Sequence, residues 1–274
     1  MKTNLKNIKR QFSILFILLI GIFSLSSISA NFYDDITITT SSSTLSNKKI
    51  GWGIRNGNNH EQPDVGSSNR ELIENYNGIC LGNKEQKYVY LTFDLGYEGG
   101  YTENILDALK ENNVNATFFI TAHYVNTASD IVQRMIDEGH IIGNHTVNHK
   151  SMPDISDEEI KTEVMTLHQS IYEKFGYEMK YIRPPKGEFS ERTLSISESL
   201  GYKNVMWSFA YVDWDDNKQP SKETAMEKII SNLHNGEIML LHATSKTNSE
   251  IMRDMIKKVK EEGYEFRSID DFVE

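Results

Sequence analysis

Residues 88–102 read YVYLTFDLGYEGGYT: an apolar run, one acid, then a glycine-rich tail. Tyr88, Val89, Tyr90, Leu91 and Phe93 have the aromatic and β-branched character of a buried strand. Gly96, Gly99 and Gly100 mark the loop after it. Asp94 therefore stands at the C-terminal mouth of the strand, where a carboxylate is costly to desolvate without a partner or a task. From this stretch onward strand-like and helix-like segments alternate. NATFFIT (115–121), HIIGNH (140–145), YIRPP (181–185), KNVMWSF (203–209) and GEIMLLH (236–242) read as strands. Between and after them, helices are expected over 127–139, 156–176, 190–201, 221–236 and 248–263. In the second of these Ser156 is the N-cap and Glu159 occupies the capping-box position. Repeated β–α units imply parallel strands, because each right-handed crossover needs a helix. About seven such strands predict an α/β fold, a distorted (β/α) barrel closed or nearly closed on itself.

The rest of the chain bounds the partners. With 29 Lys and Arg against 39 Asp and Glu, the net charge of −10 argues against nucleic acid, which needs a basic footprint. Lys2, Lys6, Lys9 and Arg10 precede an apolar run from Phe12 to Leu25 and the small residues SSISA. Residues 1–30 thus read as a signal peptide or N-terminal anchor, and the protein as secreted or membrane-anchored, touching a membrane only if this segment is uncleaved. Residues 31–50 are Ser- and Thr-rich and read as a linker. Residues 51–86 form an extension packed on the main domain, 87–274, and the chain is expected to act as a monomer. Cys80 is the single cysteine, so no intrachain disulfide can form.

The polar residues fall in one kind of place. Asp94, His145, Arg183, Asp213 and His242 each follow a predicted strand, and in a parallel barrel those ends share one face. HTVNH spaces His145 and His149 four apart, which on a helical turn puts both rings on one side as a divalent-metal pair; a hydrogen-bonded surface turn is the plainer alternative. A hydrolytic metal site wants about three protein ligands, and the third is missing from this pattern. In RPPKG the Arg183 fork suits a carboxylate, although an Arg capping carbonyls has the same look. Lys186 carries the first backbone N–H after the two prolines, available to a developing oxyanion. His242 is the best general acid in the chain unless it is a core histidine, with Asp213 to orient it and Trp214 as a flat wall for a sugar or acetyl group. Of the other histidines, His123 sits at the mouth, while His168 and His234 are expected on solvated helix faces.

The order TFD (92–94), HTVNH (145–149), RPPKG (183–187), DW (213–214) and LLH (240–242) resembles the polysaccharide deacetylase, or NodB-homology, family over roughly residues 87–272. Within it LTFDLGYEGGYT, GHIIGNHTVNH and YIRPPKGEFSE look most like the branch that makes muramic δ-lactam in spore-cortex peptidoglycan. The resemblance implies a metal-assisted de-N-acetylase of N-acetylmuramic acid acting on peptidoglycan glycan strands. Asp94 would be the general base held by Arg183, His242 the acid tuned by Asp213, and His145 and His149 the ligands of a divalent metal, zinc by donor type. Lys186, Trp214 and Tyr97 would meet the substrate. Most of the family has a second Asp as metal ligand where this chain has Leu95, which implies weaker metal binding. An N-acetylglucosamine deacetylase, or a carbohydrate-binding relative without turnover, are the competing expectations.

Overall fold

The computed structural model describes residues 45–272 apart from residue 58; the expected signal segment and most of the linker lie outside them. The central strand, β2 (Tyr88–Leu95), is buried along nearly its whole length. Its side chains divide by parity, as a pleated strand requires. Val89, Leu91, Phe93 and Leu95 join the large core formed with the helices, whereas Tyr90 enters a second cluster with Phe119, Ile141, Tyr181, Val205 and Ile238. Asp94 has the parity of Tyr90 and faces away from the helical layer.

Strands β3 (Thr117–Ile120), β4 (Ile141–Asn144), β5 (Tyr181–Ile182), β7 (Lys203–Asn204) and β8 (Glu237–His242) join β2 in the order β7-β5-β4-β3-β2-β8. Every pairing is parallel, and β9 (Glu265–Phe266) adds beside the start of β2 to make seven strands. The sheet curls into the barrel that the β–α alternation predicts. Its closure differs from the expectation, because KNVMWSF is regular only over Lys203–Asn204. The chain then changes neighbours: Val205 N–H reaches Ile182 O, Met206 N–H reaches Ile79 O, and Ser208 N–H reaches Ile238 O. A segment that passes from one edge of the sheet to the other cannot keep one ladder.

The helices follow their caps. Ser156 and Glu159 form a reciprocal capping box at the start of α5 (Asp157–Phe175), which ends on left-handed Gly176. The helix expected over 127–139 is α4 (Ser129–Asp137), and a short helix that was not expected, α3 (Ala122–Thr127), precedes it across Ala128. Thr121 caps α3 by accepting from Tyr124 N–H, so helix begins directly after β3. The expected solvated faces are also corrected. His234 lies beyond the helix Lys222–Ser231 and is buried, with Nε2 on Ser208 Oγ at 2.8 Å. His168 bonds Tyr202 Oη at 2.6 Å.

Residues 46–81 are bound to the barrel at several places, among them the segments 153–154, 187–192, 204–207 and 233–235. Strand β1 (Ile50–Gly51) pairs antiparallel with β6 (Glu188–Phe189), and Trp52 donates from its indole to Trp207 O at 2.8 Å. Trp52, Val65, Ile73, Cys80 and Leu81 form a separate core with Phe189, Leu194 and Met206.

Candidate active site

Adjacent strands create the site's central pair. Asp94 of β2 and His242 of β8 are register partners, so their side chains leave the sheet at the same level. Asp94 is 8% exposed and accepts from Arg183 Nη1 at 2.8 Å. Arg183 is fully buried; the same nitrogen reaches Thr92 Oγ1, Nε reaches Val205 O, and the guanidinium lies 4.3 Å from the Phe119 ring centre. Burial alone would raise the Asp94 carboxyl, but Arg183, with His145 and His242, holds it below its ordinary value. Asp94 is therefore ionised with Oδ1 occupied and Oδ2 turned toward His145, whose Nε2 is 3.6 Å away.

His242 is held differently. Its Nδ1 donates to Asp213 Oδ1 at 2.7 Å and its backbone N–H to Oδ2 at 2.8 Å. Donation from Nδ1 leaves Nε2 as the nitrogen free for chemistry. Burial would lower this imidazole, yet the hydrogen bond and charge of Asp213 raise it above the ordinary histidine value. Trp214, 55% exposed, stands with its ring centre 6.1 Å from that of His242.

HTVNH is not the helical turn its spacing predicts. Thr146 and His149 both take left-handed φ, 66° and 54°, in an irregular loop after β4. Glu163 of α5 holds this loop, accepting from Asn148 N–H and Asn148 Nδ2, each at 2.7 Å. The loop still brings the two rings together, Nε2 to Nε2 at 3.1 Å. His145 Nδ1 donates to Arg183 O at 2.8 Å, which commits Nε2 to carrying a lone pair. Burial lowers both imidazoles, and His149, pressed further by His145, falls to about 4. Two neutral nitrogens at this spacing suit one shared cation, since tetrahedral bonds of about 2.0–2.1 Å put ligand nitrogens about 3.3 Å apart. The donor set fits a divalent metal as a nitrogen pair. It goes no further: among the described residues no group of three or more His, Cys, Asp or Glu could hold a metal. Leu95 is buried in the helix-facing core, and His123, though exposed on the cleft, does not complete the pair.

A cleft of about 700 Å³ joins these groups, lined by Asp94, Tyr97, His123, His145, His149, Trp214 and His242 among others. Tyr97, 42% exposed, bonds Asp216 Oδ2 at 2.6 Å. Lys186 takes φ 60° between Pro185 and Gly187, and within the described residues its N–H donates to nothing. Gly187 also has positive φ, 66°, and a Cβ there would lie 2.7 Å from the Trp207 ring, so the tight RPPKG turn requires glycine.

The chain can be set beside known proteins on these grounds. A family model described as polysaccharide deacetylase matches residues 81–205. The peptidoglycan-N-acetylmuramic acid deacetylase PdaA of Bacillus subtilis is 43% identical over 228 residues, 83% of this chain and 87% of that one. The chain belongs to the polysaccharide deacetylase family. An uncharacterized 30.6 kDa protein of Geobacillus stearothermophilus is 48% identical over 85% of this chain and 88% of its own length. The solved structure of B. subtilis PdaA, a family 4 carbohydrate esterase, matches with a TM-score of 0.81 over 83% of this chain and 98% of that one.

The motifs missed residues that act from behind the site. Glu98, in the GYEGGYT tail, caps α2 (Thr102–Glu111) by accepting from Gly100, Tyr101 and Thr102 N–H and from the hydroxyls of Thr102 and Tyr124. Glu163 is 4% exposed and lies among Ile160, Val164 and Leu167 on one helix face. A carboxylate on an apolar stripe was the available signal.

Proposed function

We propose that the protein is an exported peptidoglycan N-acetylmuramic acid deacetylase. The observation that carries this reading is the pairing of an ionised, Arg-held Asp94 with an Asp-held His242 at one level of adjacent strands, beside two facing histidines. The likeness to B. subtilis PdaA over most of both chains supports muramic acid as the sugar.

In this reading the acetamido group lies in the cleft with its carbonyl near His145 and His149. Asp94 Oδ2 takes a proton from water as the water oxygen bonds to the carbonyl carbon. The unpaired Lys186 N–H donates to the oxygen that gains charge. His242 Nε2 gives its proton to the nitrogen as the C–N bond breaks, leaving acetate and a free amine, while Asp213 stabilises the imidazolium before transfer. A divalent cation held by His145 and His149, zinc by donor type, would supply Lewis acidity to the carbonyl and the water. Tyr97 and Trp214 would flank the sugar. In muramic acid the freed amine lies near the lactyl carboxyl, and condensation of the two, with the C–N bond formed as water leaves the carboxyl carbon, would give the δ-lactam of spore cortex, an extracytoplasmic product.

Purified protein is expected to release acetate from glycan whose muramic acids lack peptide stems. Mass spectrometry of the digested glycan would then find the loss on muramic acid. Loss on glucosamine with muramic acid intact would replace this reading by the glucosamine one, and no loss from either sugar would leave a binding protein.

A further inference from the structure

Behind the His242–Asp213 pair lies a buried amide that belongs to none of the motifs. Asn248 occupies the first turn of α8 (Lys246–Glu261) and is fully buried. Its Nδ2 donates to Asp213 Oδ2 at 2.7 Å and to His242 O at 3.2 Å, and its Oδ1 accepts from Tyr211 Oη. The amide orientation follows from chemistry: an ionised carboxylate only accepts, so the NH2 must face Asp213 and the carbonyl must face the hydroxyl. Asn248 N–H is itself held by Ser245 Oγ, the helix cap, at 3.1 Å. Asp213 thus receives three N–H donors, two from His242 and one from Asn248.

We propose that Asn248, locked in orientation by Tyr211, is a positioning residue that sets the acid strength of His242 by sharing the negative charge of Asp213. Each donor to a carboxylate stabilises its ionised form and spreads its charge. The positive end of the α8 dipole, which begins at this turn, acts in the same sense. Without the Asn248 amide, Asp213 Oδ2 loses a partner in a buried place and Asp213 turns more of its charge on the imidazolium. His242 then keeps its proton to higher pH and gives it up less readily to the leaving amine. The charged or titratable groups that face His242 from the neighbouring elements include Asp94, Arg183, His145 and His149, with Tyr97 and His123 on the same cleft, and among the described residues the hydrogen bonds of Asn248 go to none of them.

The inference rests on His242 as the acid of the proposed reaction, so the test reads the ring and the turnover separately. Ring-nitrogen NMR follows the titration of His242 in the full chain, in Asn248→Ala and in Tyr211→Phe. The midpoint is expected to rise by about half a pH unit or more in Asn248→Ala, and by less in Tyr211→Phe. The kcat for acetate release should fall about tenfold in Asn248→Ala with KM little changed. A midpoint unchanged or lowered in folded Asn248→Ala would overturn the proposal. Should that variant fail to fold, Tyr211→Phe, which keeps the ring volume, decides by the same criterion. Undiminished acetate release by His242→Ala would instead overturn the acid role, and this inference with it.

Discussion

Asp94 and Arg183 are each other's reason for being buried. Substituting Asp94→Asn leaves the guanidinium charge unpaired, which costs about 3–5 kcal/mol of stability. It also removes the proposed base, and acetate release is expected to fall about 10²–10⁴-fold while circular dichroism still reports a folded chain. The pH profile should be a broad plateau. Asp94 must be ionised, and Arg183 holds it below its ordinary 3.8, so activity is lost only as pH falls through that depressed value. His242 must be protonated, and Asp213 holds it above its ordinary 6.5, so activity is lost as pH rises through the raised value. A limb of kcat/KM against pH near 5 would contradict the assignment. At this scale the sequence was informative where a polar residue ended an apolar strand, as at Asp94 and His242. Asn248 was not legible, because an Asn three residues into a helix looks like an ordinary surface position until the apolar Ile251, Met252 and Met255 are seen to share its buried face.

Elements supply what the residues cannot. The HTVNH loop holds its histidines through two left-handed residues and the side chain of Glu163, which belongs to a different element. Glu163→Ala leaves the Asn148 donors without their partner, at a cost of about 1–3 kcal/mol. Zinc affinity, measured by competition with a chelator, is expected to drop about 10–100-fold, because the loop that sets the imidazole angles is freed. Unchanged affinity would show that His145 and Arg183 O suffice to fix the pair. The spacing of HTVNH announced a pair but suggested the wrong backbone. Four-residue spacing fits a helix, and only the contact with α5 explains why a non-helical loop does the same work. Ser156 and Glu159, by contrast, were readable as a cap because both partners lie within one turn.

For the whole molecule, β–α alternation made the barrel legible, since parallel strands leave few topologies. Its seam was not, because residues 205–209 exchange partners with Ile79 and Ile238, which are far away in sequence. The same remoteness hid the task of the N-terminal extension. Trp52 lies 8% exposed in a core shared with Phe189 and Leu194, and its indole grips Trp207 O. Trp52→Ala is expected to lose about 3–5 kcal/mol, read as a lowered midpoint in urea unfolding. A loss below about 1 kcal/mol would mean that the extension merely rests on the barrel. Cys80 belongs to that core, and burial pushes its thiol up to about 12, so it is nearly inert while covered. The chain therefore carries its own stopwatch: the rate at which a thiol reagent consumes its one thiol counts the openings of the N-terminal strap, while the cleft on the barrel's mouth stays unlabelled.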